Sequence, residues 1–314
     1  DREATGMRLT EKDRRNAETT MWNRGQESNM SEGKDRLLAQ MKDAEGAVYV
    51  LISGFTKEPY VECDKETYDD KVFVYMEEEA AKAKAEALKE EKIPVGAAKI
   101  LSGHMLLFFT NLYTMGVNAL EIHYEDKVDL IQIDEFAKRR EDPQLEEGKQ
   151  WIENPQLHLT ALYFAQEVRR PKEVQDEKRM AQLQEEMAAD FMKSRFIFAL
   201  QQDGKGTPLV KLNTGDKYQL VFTDAVEFSR FNRNKAFKPV IVDAAQLPKV
   251  LDREAKGVVL NIMGVNLPLA VNRPAPAPQD PAARAQAAAD QAIAAAASAA
   301  LQRQAAEKKN SEEA

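Results

Sequence analysis

The sequence holds one cysteine, Cys63, in 314 residues. That excludes an intramolecular disulfide and a zinc site built on several thiolates, and it fits a reducing compartment better than a disulfide-stapled secreted fold. No apolar run approaches the roughly 20 residues needed to cross a bilayer. The longest, around Met105–Thr110, is of core size, and Asp1 to Met7 carry no signal-peptide pattern. Histidine is scarce: His104, His123 and His158 have no metal-ligand spacing and read as structural or surface residues. Asp203-Gly204-Lys205-Gly206 has two glycines but lies between strand-like runs, so it is a turn and not a phosphate loop. No Gly-x-Ser-x-Gly elbow occurs, and Cys63 has no partner for nucleophilic chemistry. No catalytic residue, metal or cofactor is therefore expected.

A formal net charge of -8 opposes non-specific attraction to nucleic acid or anionic lipid. Residues Arg230–Lys238 interleave basic and aromatic side chains, a composition used on single-stranded nucleic acid. Against the acidic balance the stretch reads as a solvated helix end with Phe231 and Phe237 turned into the core. The acidic run Glu77-Glu78-Glu79 reads as a helix start, where carboxylates suit the positive end of the dipole.

What the chain does have is repetition. Met115-Gly116-Val117-Asn118 returns 148 residues later as Met263-Gly264-Val265-Asn266. The same offset carries Val48-Tyr49-Val50-Leu51 onto Phe196-Ile197-Phe198-Ala199, and Phe73-Val74 onto Val221-Phe222. Both copies pass through short β-branched and aromatic runs, which predict strands, separated by Gly- and Asp-rich turns. Each is preceded by an amphipathic helix, carried by Leu37, Leu38, Met41 and Ala44 in the first copy and by Met180, Leu183, Met187 and Phe191 in the second. Pro155 marks a helix start, and the segment from Leu157 to Val168 is apolar enough to pack. Asp134 is placed to cap a short helix, and Asp224 with Glu227 forms a capping-box arrangement. Leu101–Tyr113 fits either a buried helix or a strand.

These patterns predict an α+β fold, a tandem repeat of two small mixed sheet-plus-helix domains joined by helices. The expected organisation is a polar arm over 1–33, a first domain over 34–133, a helical connector over 134–178, a second domain over 179–273 and a Pro/Ala-rich linker and tail over 274–314. In the tail alanine dominates, which favours helix but offers little to bury. The polar arm has one bulky apolar pair, Met21-Trp22, available for docking.

In the second copy a strand, Pro208-Leu209-Val210, then Leu220-Val221-Phe222-Thr223-Asp224, a helix and Lys256-Gly257-Val258-Val259-Leu260-Asn261 follow in order. This arrangement resembles the N-terminal domain family of SseB, the enhanced serine sensitivity protein, with Ile262 where that family has Pro. The first copy has Val72-Phe73-Val74-Tyr75 in place of the Phe-Thr segment. The resemblance covers residues 47–133 and 195–272. It implies a bacterial, cytoplasmic domain of poorly defined function, present in two tandem copies, and supplies no catalytic residues.

The expected function is that of a non-enzymatic adaptor whose partner is another protein, with no membrane and no nucleic acid. Two alternatives stand beside it. One is an enzyme or small-ligand-binding protein with a site at the seam between the copies; the other is a self-assembling homo-oligomer bridged by the arm or the tail. The candidate binding residues are Thr223, Asp224 and Asn261, with Asn118 and Asn266 from the repeated four-residue signature. Glycine and asparagine tolerate positive φ, so that signature also suits a structural corner.

Overall fold

The computed structural model describes residues 32–137 and 150–273; the polar arm with Trp22 and the alanine-rich tail lie outside the described residues. The first half contains β1 (Ala47–Ser53), β2 (Val61–Cys63), β3 (Asp70–Tyr75), β4 (Val95–Leu101), β5 (Ala119–Tyr124) and β6 (Lys127–Gln132). They form one sheet in the order β4-β1-β3-β5-β6, with β2 beside β3. The second half repeats this with β7 (Arg195–Gln201), β8 (Leu209–Lys211), β9 (Lys217–Phe222), β10 (Phe237–Asp243), β11 (Ala255–Leu260) and β12 (Leu267–Ala270). Its order is β10-β7-β9-β11-β12, with β8 beside β9. In each sheet the central pair, β3–β5 or β9–β11, is parallel, and the other pairings are antiparallel. The chain is thus a tandem α+β repeat.

The helices follow the same plan. Helix α1 (32–42) precedes β1, and α6 (Glu177–Lys193) precedes β7. Helix α2 (Glu78–Glu90) follows β3, and the shorter α7 (Ala225–Phe231) follows β9. Helix α3 (Ser102–Leu112) follows β4, which resolves the ambiguous stretch as helix. Its counterpart after β10 is a 3₁₀ turn and the one-turn α8 (Leu247–Val250). Helix α4 (Ile133–Phe136) is capped by Gln132 and Glu135, not by Asp134: the chain enters the helix two residues earlier, so the reciprocal box forms on Gln132. Helix α5 (Pro155–Val168) starts on Pro155, whose missing N–H costs nothing at a first helical position.

Alternation along the strands gives each sheet two apolar faces. Val48, Val50, Val72 and Val74 point to one face of the first sheet, while Leu51, Phe73 and Tyr75 point to the other and pack under Ala81, Ala85 and Leu88 of α2. In the second sheet Ile197, Leu220 and Phe222 pack with Phe228 of α7, and Phe196, Phe198, Val221 and Val258 point the other way. The two remaining faces belong to one continuous core. Between them lies α5, which buries Leu157, Ala161, Leu162, Tyr163 and Ala165. Its Tyr163 hydroxyl donates to Asp70 Oδ1 of the first sheet at 2.5 Å, and Asn154 just before it donates to the Arg195 and Thr223 carbonyls of the second at 2.8 and 2.7 Å. Within the segment 134–178, read as a helical connector, α5 packs into a core common to both sheets, because a helix buried nearly all round needs apolar surface on two sides.

The four-residue signature does not mark equivalent places. Met115-Gly116-Val117-Asn118 lies between α3 and β5, whereas Met263-Gly264-Val265-Asn266 lies between β11 and β12. The offset of 148 aligns β1 with β7 and β2 with β8, but a shorter second copy has lost step by the later strands. The turn equivalent to Asn261 is Glu125, which follows β5 as Asn261 follows β11; their φ values are +50° and +48°. Gly116 is left-handed at φ +78°, and a Cβ there would come 2.7 Å from the Pro155 carbonyl oxygen of α5. Gly264 is not left-handed and is constrained by what it touches, described below.

A shared core predicts shared unfolding. Leu162→Ala should cost about 3 kcal/mol. It should also raise the native-state hydrogen-exchange rates of Val50 and Phe198 amides, one in each sheet, by the same factor. Loss of protection in one sheet alone would show independent domains.

Candidate functional site

The polar residues singled out in the second copy meet at the seam between the halves. Strand β9 runs out at Phe222, and Asp224 caps α7 by accepting the Val226 and Glu227 amides on Oδ1 at 2.9 and 3.0 Å. This is the expected N-cap, but Glu227 does not reach back to complete the box; it pairs with Arg230 instead. Asp224 Oδ2 accepts the Thr223 hydroxyl at 2.7 Å and lies 3.6 Å from Nδ1 of His158, which α5 brings from the middle of the molecule. Asn261 spans the same point: its Nδ2 donates to Thr223 Oγ1 at 2.8 Å, and its Oδ1 accepts the Thr223 amide at 3.0 Å. Thr223, Asp224, Asn261 and His158 are all fully buried. They bond to one another and tie β9, β11 and α5 together. Except at His158 Nε2 these buried polar groups satisfy one another, which is what they need to be tolerated.

Beside this knot sits a buried ion cluster that crosses the seam. Glu58, from the turn between β1 and β2, and Glu227 of α7 share one guanidinium: Arg230 Nη1 lies 2.5 Å from Glu58 Oε1 and 2.6 Å from Glu227 Oε1. Gly264 closes over the pair, since a Cβ there would come 2.1 Å from Glu58 Oε1 and 2.9 Å from Glu227 Oε2. Any side chain at 264 would displace the carboxylates, which gives the second signature glycine its physical reason. Glu227 Oε2 and His158 Nε2 are buried without a hydrogen-bond partner.

Two carboxylates on one cation leave an excess of negative charge away from water. Burial, and then the Glu227 carboxylate, push Glu58 up to about 7 against the pull of Arg230. Burial works against a proton on His158, but its hydrogen bond to Asp224 and the charges of Glu227, Asp224 and Glu58 outweigh that and raise its pKa. Burial would likewise raise Asp224, yet the bond and charge of His158 hold it below the usual carboxylate range. The contact thus raises His158 and lowers Asp224 together, and Glu58 is the group poised to change state near neutrality.

Two grooves open along the seam. One, of about 260 Å³, is walled by Glu58, Glu227 and Arg230 with Phe108 and Met115; the other, of about 280 Å³, by Asp224, Thr114 and Trp151. Thr223 and Asn261 line neither. Nor do Asn118 and Asn266. Asn118 accepts the Asp70 amide at 2.7 Å and donates to Asp69 Oδ1 at 2.6 Å, fastening β3 to β5 where the two strands begin. Asn266 is left-handed at φ +48°, and its carbonyl accepts from Arg169 at 2.8 Å. The structure thus gathers Thr223, Asp224 and Asn261, joins Asn266 to them only through its amide, which donates to the Asn261 carbonyl at 2.9 Å, and leaves Asn118 apart. Sequence reasoning missed Glu58 and Arg230, whose contact spans 172 residues and leaves no local signal. Among the described residues no group of three or more His, Cys, Asp or Glu could hold a metal ion.

No family model and no curated protein matches this sequence. Two solved structures are similar to it. Tic22 from Plasmodium falciparum is 12% identical, over 70% of this chain and 89% of that one, with a TM-score of 0.20. Anabaena Tic22, described as a protein of protein transport, is 10% identical over 70% and 91%, also with a TM-score of 0.20. Superpositions at that score do not establish a shared fold.

The seam carries a pH dependence with a definite sign. Glu58 binds its proton more tightly folded than unfolded, so its contribution is full below about 4.5 and is lost as pH rises to about 7. His158, also raised, adds in the same direction as pH climbs past its ordinary 6.5. Asp224 acts only below its ordinary 3.8. The urea midpoint should therefore fall between pH 5 and pH 8, by up to about 3 kcal/mol in stability. Glu58→Gln should flatten the part of that fall below pH 7.

Proposed function

We propose that this chain is a non-enzymatic binding protein of the adaptor type, the function to which its resemblance to the SseB N-terminal domain family also leads. The observation that carries this reading is an apolar ridge on α3. That helix buries Met105, Phe109 and Leu112 against the first sheet. In the same turns Leu106 and Leu107 stand 56% and 63% exposed, and Leu101 precedes them at 49%. Leucines grouped at this exposure, beside the half-buried Phe108, form a surface suited to a protein partner. The buried, mutually bonded state of Thr223 and Asn261 also favours this reading over seam chemistry. Among the described residues no helix is long and apolar enough to cross a membrane, and the single cysteine fits the cytoplasmic location proposed here.

A ligand at the seam is the second reading, favoured by Glu58 with its pKa near 7 in the wall of a groove beside Arg230. A thermal-shift screen of small molecules tests it. Compounds that stabilise the wild type but not Glu58→Gln would establish that site.

The adaptor reading is tested by Leu106→Ser/Leu107→Ser. Both side chains are exposed, so stability should change by less than about 0.5 kcal/mol. Proteins retained from native lysate by the wild type should be retained at least tenfold less by the double variant, and unchanged by Val250→Ser on the other half. An identical retained set for all three proteins would overturn the reading.

A further inference from the structure

Between its second and third strands each half turns through a left-handed residue just before the closing carbonyl, in a turn one residue longer in the first half, and one half fills that place with a residue the conformation does not favour. In the second half, Leu212 N donates to the Asp216 carbonyl at 2.9 Å, and the residue before Asp216 is Gly215, left-handed at φ +90°. In the first half, Asp64 N donates to the Asp69 carbonyl at 2.8 Å, and the residue before Asp69 is Tyr68, left-handed at φ +62°. Glycine takes such a φ without strain; a bulky aromatic residue there is a genuine outlier. Nor is Tyr68 fixed there by packing, since it is 78% exposed. Strain held on an exposed side chain points to a use for that side chain.

Tyr68 stands at the rim of a groove of about 590 Å³ whose lining includes β2 and the C-terminal turns of α2 and α5. On one side β2 pairs with β3; on the other its Val61 carbonyl accepts the Gln166 side-chain amide at 3.2 Å, and no strand lies beside it. Gln166 Oε1 and Arg170 Nε are buried here without hydrogen-bond partners. One is an acceptor and the other a donor; Gln166 sits in the last turn of α5 and Arg170 just past its C-terminal end, and both line the groove. An extended peptide residue presents an N–H and a C=O on the same side, the complement of that pair. The charges suit a polypeptide better than a simple anion. Lys65, Lys84 and Arg179 line the groove together with Glu62 and Glu91.

We propose that this groove receives an extended polypeptide segment of a partner, laid along the free edge of β2, with Tyr68 closing over it. The proposal rests on the binding-protein reading but uses a surface that shares no residue with the α3 ridge. Random dodecapeptides displayed on phage and panned on the full-length chain supply the probe. Selected peptides, labelled with fluorescein, are then measured by anisotropy against variants. Tyr68→Gly should weaken them at least tenfold while raising Tm by about 2 °C, because it relieves the left-handed tyrosine. Gln166→Met should weaken them similarly, and Leu106→Ser/Leu107→Ser should bind as the wild type does, so failure of the ridge and failure of the groove are distinguishable. Enrichment of no peptide, equal affinity for the wild type and Tyr68→Gly, or a lower Tm for Tyr68→Gly would each overturn the proposal. A thermal shift with ATP that Tyr68→Gly abolishes, with no peptide enriched, would reassign the groove to a small anion.

Discussion

Helix α5 has to satisfy two sheets at once, and the rest of the molecule is fitted round that requirement. A helix on a single sheet can keep a polar stripe for water. This one cannot, so its polar residues need partners inside the protein. Tyr163 finds Asp70 in the first sheet, and His158 finds Asp224 in the second. Bringing the sheets onto one helix also brings Glu58 of one half against Glu227 of the other, with Arg230 between them. The seam is polar because it is where groups that each half leaves over must be matched across the join.

Identical topology has left the halves free to differ in detail. The helix after the third strand has 13 residues in the first half and 7 in the second. The helix after the fourth has 11 residues in the first half against a single turn in the second. Thr223-Asp224, which organise the seam, correspond to Met76-Glu77, where Glu77 makes no side-chain cap on the helix that follows. Each half therefore serves as a control for the other: a position required by the fold has equivalents in both, and a position found in one needs a local reason.

Strand patterns, the parallel placement of α1 and α6, the helix start at Pro155 and the cap at Asp224 were legible because each is a local property of the chain. The repeat was legible too, but its most conspicuous four residues misled. Gly116 and Gly264 are both required, the first by its left-handed φ and α5, the second by two carboxylates. Identical tetrapeptides arose from different constraints. The seam residues Thr223, Asp224 and Asn261 could be chosen from the second copy alone. Glu58 could not, because its partners are supplied only when the halves close on α5.

The shared core bears on how such a chain could have come about. The first repeat unit has a sheet with α2 over one face, and α1 and α3 share the cover of its other face with α5. A chain holding a single unit would reach an equivalent core most directly by pairing with a second copy, in the manner of an isologous dimer. Joining two such units in one polypeptide would turn that intermolecular surface into an interior, with α5 as the splice. Once fused, the partners are held at a fixed ratio and no longer need to match, so the two halves can diverge while the pairing that made them stable is kept.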